Sequence, residues 1–139
     1  MKSFTKHGFM AEHYVAADLI KKGYIPCMPT VPASEFDILA VKGQTKVKVQ
    51  VKSGAFDGNK MKVDLRKGSA KERKYSEDDV DVYALHDRTS GGIAYLYMED
   101  YVGRSQVTLY RRTPESLHGY TDKQRIILFS DCNLREKAS

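Results

Sequence analysis

The stretch from Phe36 to Gly54, FDILAVKGQTKVKVQVKSG, constrains the fold more than any other part of the chain. Two runs of apolar–polar alternation flank the turn KGQT, and alternation of that kind specifies half-buried strands. Residues 35–41 and 46–52 are therefore expected to pair as an antiparallel hairpin. A turn centred on Gly43-Gln44 sets the register, with Val41 opposite Lys46, Leu39 opposite Lys48 and Asp37 opposite Gln50. Successive side chains alternate, so Val47, Val49 and Val51 share one face while Lys48, Gln50 and Lys52 share the other. The valine face suits a core. The other face carries groups that a core would not choose.

The rest of the chain frames this hairpin. Counting from Glu12, residues Val15, Ala16, Leu19 and Ile20 recur at helical spacing and Phe9 extends the same face, so residues 7–22 are expected to form a helix ended by Gly23. The proline-rich segment after it holds an edge strand near 24–28. Residues 53–74, rich in glycine and lysine, read as a loop followed by a short helix over 69–75. Further strands are expected at 80–87, 91–100, 106–112 and 125–130, with loop or short helix over 113–123 and a frayed tail over 133–139. One helix followed by many strands predicts an α/β fold (α+β, with a mixed sheet) built as one domain over residues 1–139.

Several function classes are disfavoured. No apolar run approaches the ~20 residues of a membrane-spanning helix, and the N-terminus lacks the apolar stretch of a secretory signal. Cys27 and Cys132 lack metal spacing, and the four histidines form no H-x-x-x-H pair, which argues against zinc. A protein of the cytoplasm with reduced thiols is the expectation.

Charge is concentrated. Residues 42–75 hold eleven basic and three acidic residues, whereas the whole chain carries a net charge of only +5. A basic segment on a nearly balanced body is the footprint of a polyanion binder. Lys46, Lys48, Lys60, Lys62, Arg66, Lys67, Lys71, Arg73 and Lys74 are the candidate contacts to the phosphates of such a polyanion, and a solvated basic face is the equal alternative. Arg104, Gln106, Arg111, Arg112 and Arg125, on later strands and loops, are candidates for further contacts, including base edges.

The polar hairpin face reads as a site. Glu12 lies on the apolar side of the expected helix, where a carboxylate is costly unless it is paired or bound to metal. A hard divalent cation takes oxygen ligands, and Asp37, the Gln50 amide oxygen, the backbone carbonyl of Val51 and Glu12 (directly or through water) would supply them. Lys52 beside such an ion would steer a scissile phosphate, stabilise developing charge or orient water. An ion pair between Glu12 and Lys52 is the simpler alternative.

A helix with Glu12, then Phe36-Asp37, then Gln50-Val51-Lys52 followed by Ser53-Gly54, resembles the PD-(D/E)XK nuclease superfamily. The resemblance implies a restriction-endonuclease-like core, an N-terminal helix before a mixed central sheet flanked by helices. It also implies Mg²⁺-dependent hydrolysis of phosphodiesters in double-stranded DNA, with Mn²⁺ able to substitute. Glu12, Asp37, Gln50 and Lys52 would be the catalytic set. Two departures stand out. Phe36 fills the place of the family's proline, and Gln50 replaces the usual acid, leaving an oxygen ligand without charge. Small intron-encoded homing endonucleases include members with this glutamine and are the nearest in length and order, with Holliday junction resolvases next. A 139-residue chain reading a long site would do so as a homo-oligomer, a dimer or tetramer. A nuclease-fold DNA-binding module without catalysis is the third reading.

Overall fold

The computed structural model describes residues 6–31, 35–65, 80–114 and 126–135. Helix α1 (Lys6–Lys21) leads into strands β1 (Ile25–Cys27), β2 (Ile38–Lys42), β3 (Thr45–Gly54), β4 (Lys60–Asp64), β5 (Val82–Asp87), β6 (Ile93–Tyr97), β7 (Gln106–Tyr110) and β8 (Ile127–Leu128). The expected helix over 69–75, the loop residues 115–123, and Arg66, Lys67, Lys71, Arg73, Lys74 and Arg125 lie outside the described residues.

The hairpin forms in the register its sequence implies. Leu39 pairs with Lys48 and Val41 with Lys46. Gly43 sits at φ 59° and no non-glycine residue among the described ones has positive φ, so the first turn position alone is left-handed, the pattern of a type II′ hairpin turn. The strands differ in extent from expectation: β2 begins at Ile38, and β3 runs on to Gly54 because it continues to pair with β5.

Five strands form one sheet in the order β1-β2-β3-β5-β6. The β3–β5 pair is parallel and the others antiparallel, so the sheet is mixed, as expected. Strands β4, β7 and β8 form a second sheet. The β4 segment, KMKVD, reads as loop in sequence, but Met61 and Val63 alternate inward once β7 supplies a partner along its whole length.

The two faces of the main sheet carry separate cores. On one, Ala11, Val15 and Leu19 of α1 pack on Val47, Val49, Val51, Val82 and Ala84. On the other, Met61, Val63, Val107 and Leu109 of the second sheet pack on Tyr83, Leu85, Ala94 and Leu96. Among the described residues, then, a helix flanks one face and a small sheet the other.

Helix α1 is rotated from the expected face. Phe9 is 50% and Ile20 60% exposed, while Ala11 is fully buried. A methyl side chain at the N-terminal end of the buried stripe lets that end of the helix approach the sheet closely, and the bulkier Phe9 and Ile20 turn outward. The helix ends in a Schellman arrangement: the Tyr24 amide donates to Leu19 O at 2.9 Å and the Gly23 amide to Ile20 O at 3.0 Å.

The first residues of the expected frayed tail are anchored. Leu134 packs against the helix-side core. The Arg135 amide donates to Tyr97 Oη at 2.7 Å, its guanidinium lies 4.1 Å from the Tyr97 ring centroid, and it pairs with Glu99 and Asp100. No described helix is long and apolar enough to cross a membrane.

Candidate active site

Asp37 stands one residue before β2, where the hairpin opens. Its amide donates to Val49 O at 2.9 Å, and its carboxylate Oδ2 accepts from the Val51 amide at 2.9 Å. The side chain thus takes the ladder position that a longer β2 would have filled. A strand residue turns its N–H and C=O to the same side, so the Val51 carbonyl shares the side on which Asp37 lies. Sequence reasoning placed Asp37 opposite Gln50. The structure holds it by the two residues that flank Gln50.

Gln50 is 3% exposed, and its Oε1 is buried with no hydrogen-bond partner among the described residues. A buried amide oxygen left unpaired costs about 1–3 kcal/mol. An oxygen-seeking cation would recover that cost. Asp37, Gln50 Oε1 and the Val51 carbonyl form the all-oxygen donor set that Mg²⁺ takes, and the residues fit the ion on this ground. No group of three or more His, Cys, Asp or Glu able to hold a metal occurs among the described residues. The donor set has few charges and rests on an amide and a carbonyl as much as on carboxylates.

Glu12 is half-buried on the flank of α1, not in the centre of its buried stripe. Two contacts locate that flank. Tyr14 stacks on His86 of β5 with centroids 4.8 Å apart, and Asp18 accepts from Tyr95 Oη of β6 at 2.6 Å. Tyr14 and Asp18 lie on one side of the Ala11–Val15–Leu19 stripe, and Glu12 and Ala16 on the other. The Glu12 flank therefore faces the β2–β3 side. The helix also has its C-terminal end over the hairpin turn, where Lys42 Nζ donates to Lys22 O at 3.2 Å. Glu12, near the other end, stands at the Asp37 end of the hairpin.

Lys52 is half-buried and projects from the same face as Gln50. It lines a pocket of about 230 Å³ together with Gly54, Met61, Lys62, Val63 and Asp64. Gly54 permits this closeness: a Cβ there would lie 3.2 Å from Met61 Sδ.

The sequence of the chain matches the PD-(D/E)XK endonuclease family over residues 3–125. The chain belongs to that family. Among solved structures it is similar to a bacterial homing endonuclease, I-Ssp6803I, with a TM-score of 0.70, 18% identity and 83% of each chain covered. At that identity the likeness is one of fold. No curated protein matches it.

Phe36-Asp37 and Gln50-Val51-Lys52, the residues that carry the sequence resemblance to this PD-(D/E)XK endonuclease family, lie within the matched range. Strand β2 starts only at Ile38, and the Asp37 carboxylate closes the ladder beyond it. Sequence reasoning missed the polar groups behind the site. Ser53 Oγ and both ring nitrogens of His86 are buried without hydrogen-bond partners among the described residues, and the two residues pair across β3 and β5. Burial pushes the His86 imidazole below its ordinary value, with Asp87 opposing. A histidine in phase with Val82 and Ala84 was the available signal.

The basic residues divide. Lys60 and Lys62 are exposed on β4. Arg111 lies with its guanidinium 4.6 Å from the Phe56 ring centroid, and Arg112 is held through its backbone by the Asn59 side chain at 2.8 and 2.9 Å. Arg104 lies 6.0 Å from the Tyr101 ring centroid, in the loop before β7. Lys46 belongs to the turn end of the hairpin, roughly 13 Å along the strand from Gln50. Lys48, half-buried, has its amide bound to Asp81 Oδ2 at 2.8 Å. The lysines of β3 and β4 thus do not form one continuous stripe.

Proposed function

We propose that this PD-(D/E)XK endonuclease is a Mg²⁺-dependent enzyme that hydrolyses phosphodiesters of double-stranded DNA at specific sites, as homing endonucleases do, and that it works as a homo-oligomer. The observation that carries the reading is the unpartnered, buried Oε1 of Gln50, next in sequence to Val51, whose amide holds the Asp37 carboxylate. A purely structural hairpin has no use for that combination.

Asp37, Gln50, the Val51 carbonyl and Glu12 would hold the ion. When bound, Mg²⁺ (or Mn²⁺ in its place) supplies Lewis acidity at the scissile phosphate. Asp37 is held in orientation by the Val51 amide, so its carboxylate is already aimed before the ion arrives. The Lys52 ammonium would offer charge to a non-bridging phosphate oxygen or orient the attacking water. Gln50 contributes an oxygen without charge, which leaves ion affinity to the carboxylates.

Single-turnover cleavage of a random-site duplex library with Mg²⁺, run beside duplex binding, tests this. Asp37→Asn and Lys52→Ala are each expected to abolish cutting while uncut DNA remains bound. Cutting at the native rate by both variants would show the site to be elsewhere. Binding by the native protein without any cutting would make the chain a DNA-binding module on a nuclease fold. A preference for four-way junctions over every linear duplex would make it a resolvase.

A further inference from the structure

The second sheet has a face that neither core of the described residues uses. Met61 and Val63 of β4 and Val107 and Leu109 of β7 point inward. Their neighbours point outward and pair across the ribbon: Asp64 with Gln106, Lys62 with Thr108, and Lys60 with Tyr110. Lys60, Lys62, Asp64 and Gln106 are exposed and Thr108 half-exposed. Tyr110 is 6% exposed and lies under the Lys60 ammonium at 6.0 Å, so it closes one end of the face. Arg111 and Arg112 follow directly at that end.

We infer that the outward face of the β4–β7 ribbon reads base edges in the DNA major groove, with Lys62, Gln106 and Thr108 as the readers. The inference rests on the proposed function and names the surface that would give it sequence specificity. A two-stranded antiparallel ribbon fits the major groove, about 12 Å wide. The chemistry of its face is that of base readout. Glutamine pairs in bidentate fashion with adenine, lysine donates to guanine O6 and N7, and threonine offers its methyl to thymine. Lysines and arginines at the Tyr110 end match the phosphates at the groove wall. The partner is duplex DNA and not an acidic protein, because the face mixes uncharged readers and one carboxylate with its cations.

Position strengthens the case. Lys62 and Asp64 line the same pocket as Lys52. The ribbon face therefore begins beside the residue that would meet the scissile phosphate. Outward residues along a strand are about 7 Å apart, close to two base-pair steps. The face from Lys60 to Asp64 then spans roughly four base pairs, placed next to the cut.

The test is selection of bound duplexes from a random-site library without metal, for the native protein, Lys62→Ala, Gln106→Ala and Thr108→Ala. All three residues are at least partly exposed. Native protein is expected to select a short window of defined bases. Each variant is expected to lose preference at one or two adjacent positions by about ten- to a hundredfold, while affinity for unselected DNA falls much less. Mg²⁺-dependent cutting is then mapped on the selected duplex, and the window is expected to adjoin the cut. Native-like selection by all three variants would overturn the ribbon assignment, as would a native protein that binds DNA with no preference. If native protein selects and variants shift that selection but nothing is ever cut, the ribbon stands and the nuclease reading fails.

Discussion

The Val51 amide donates to Asp37 Oδ2 at 2.9 Å across a sequence separation of 14. One hydrogen bond thus joins a backbone position to an acid at the mouth of the hairpin, and it links fold stability with the proposed chemistry. The two roles separate by mutation. Asp37→Asn keeps an acceptor for Val51 and is expected to leave thermal stability nearly unchanged while cutting is lost. Asp37→Ala removes the acceptor and is expected to cost a further ~1 kcal/mol of stability. Urea denaturation of both variants checks this. Equal stability of the two would mean the bond contributes nothing.

Gln50→Glu is expected to bind Mg²⁺ more tightly than the native protein, because a carboxylate replaces an amide oxygen among the ligands. The same change places an acid in a site 3% exposed. Without metal, burial raises the folded-state pKa of that acid above its unfolded value. The variant should therefore lose stability relative to native as pH rises above the usual carboxylate range, and Mg²⁺ should restore it. Calorimetric titration and melts with and without Mg²⁺ provide the comparison. Weaker ion binding by the glutamate form would remove Gln50 from the site.

His86 gives a pH prediction with a definite sign. Its folded-state pKa is lowered by burial, against an ordinary value of 6.5. As pH falls through 6.5 the unfolded chain takes up a proton that the folded chain still refuses, so stability declines on the acid side. His86→Phe keeps a ring to stack on Tyr14 and removes two unpartnered nitrogens. It is expected to be the more stable protein, with a margin that widens below pH 6.5. Urea midpoints from pH 7.5 to 5 for both proteins measure the margin. A constant margin would show that His86 titrates normally.

The double variant Leu134→Ala, Arg135→Ala is expected to lose roughly 1–2 kcal/mol. The loss follows from leucine packing on the helix-side core and from the arginine stacked on Tyr97. The ion pairs of Arg135 add little because they are half exposed. A native denaturation midpoint in the variant would return the segment to the status of a loose tail.

DNA affinity is expected to fall steeply with salt, because each basic residue of the segment 42–75 that meets a phosphate would release counterions on binding. Titrations across 50–200 mM salt give the slope. Lys62→Ala should reduce it by about one unit if that lysine meets phosphate, and by less if it meets a base.

The alternation of Phe36–Gly54 determined the hairpin by itself. A period of two and a left-handed glycine at the turn act over a few residues, and they set the Leu39–Lys48 register wherever the hairpin is placed. Alternation put Gln50 and Lys52 on one side of β3 and the turn register put Asp37 opposite Gln50, whereas the structure holds Asp37 by Val49 and Val51. The tertiary structure decided the rest. Gln50 is buried inside the sheet, where its strand pairs with β5, which comes from sequence more than thirty residues downstream. The rotation of α1 followed the small Ala11, which lets helix and sheet approach, and not the larger Phe9 and Ile20 that helical spacing favoured. KMKVD became β4 only through its pairing with β7, more than forty residues away. Short-range pattern carries phase and register. Burial depends on what long-range contacts bring above a residue, and no local pattern contains that.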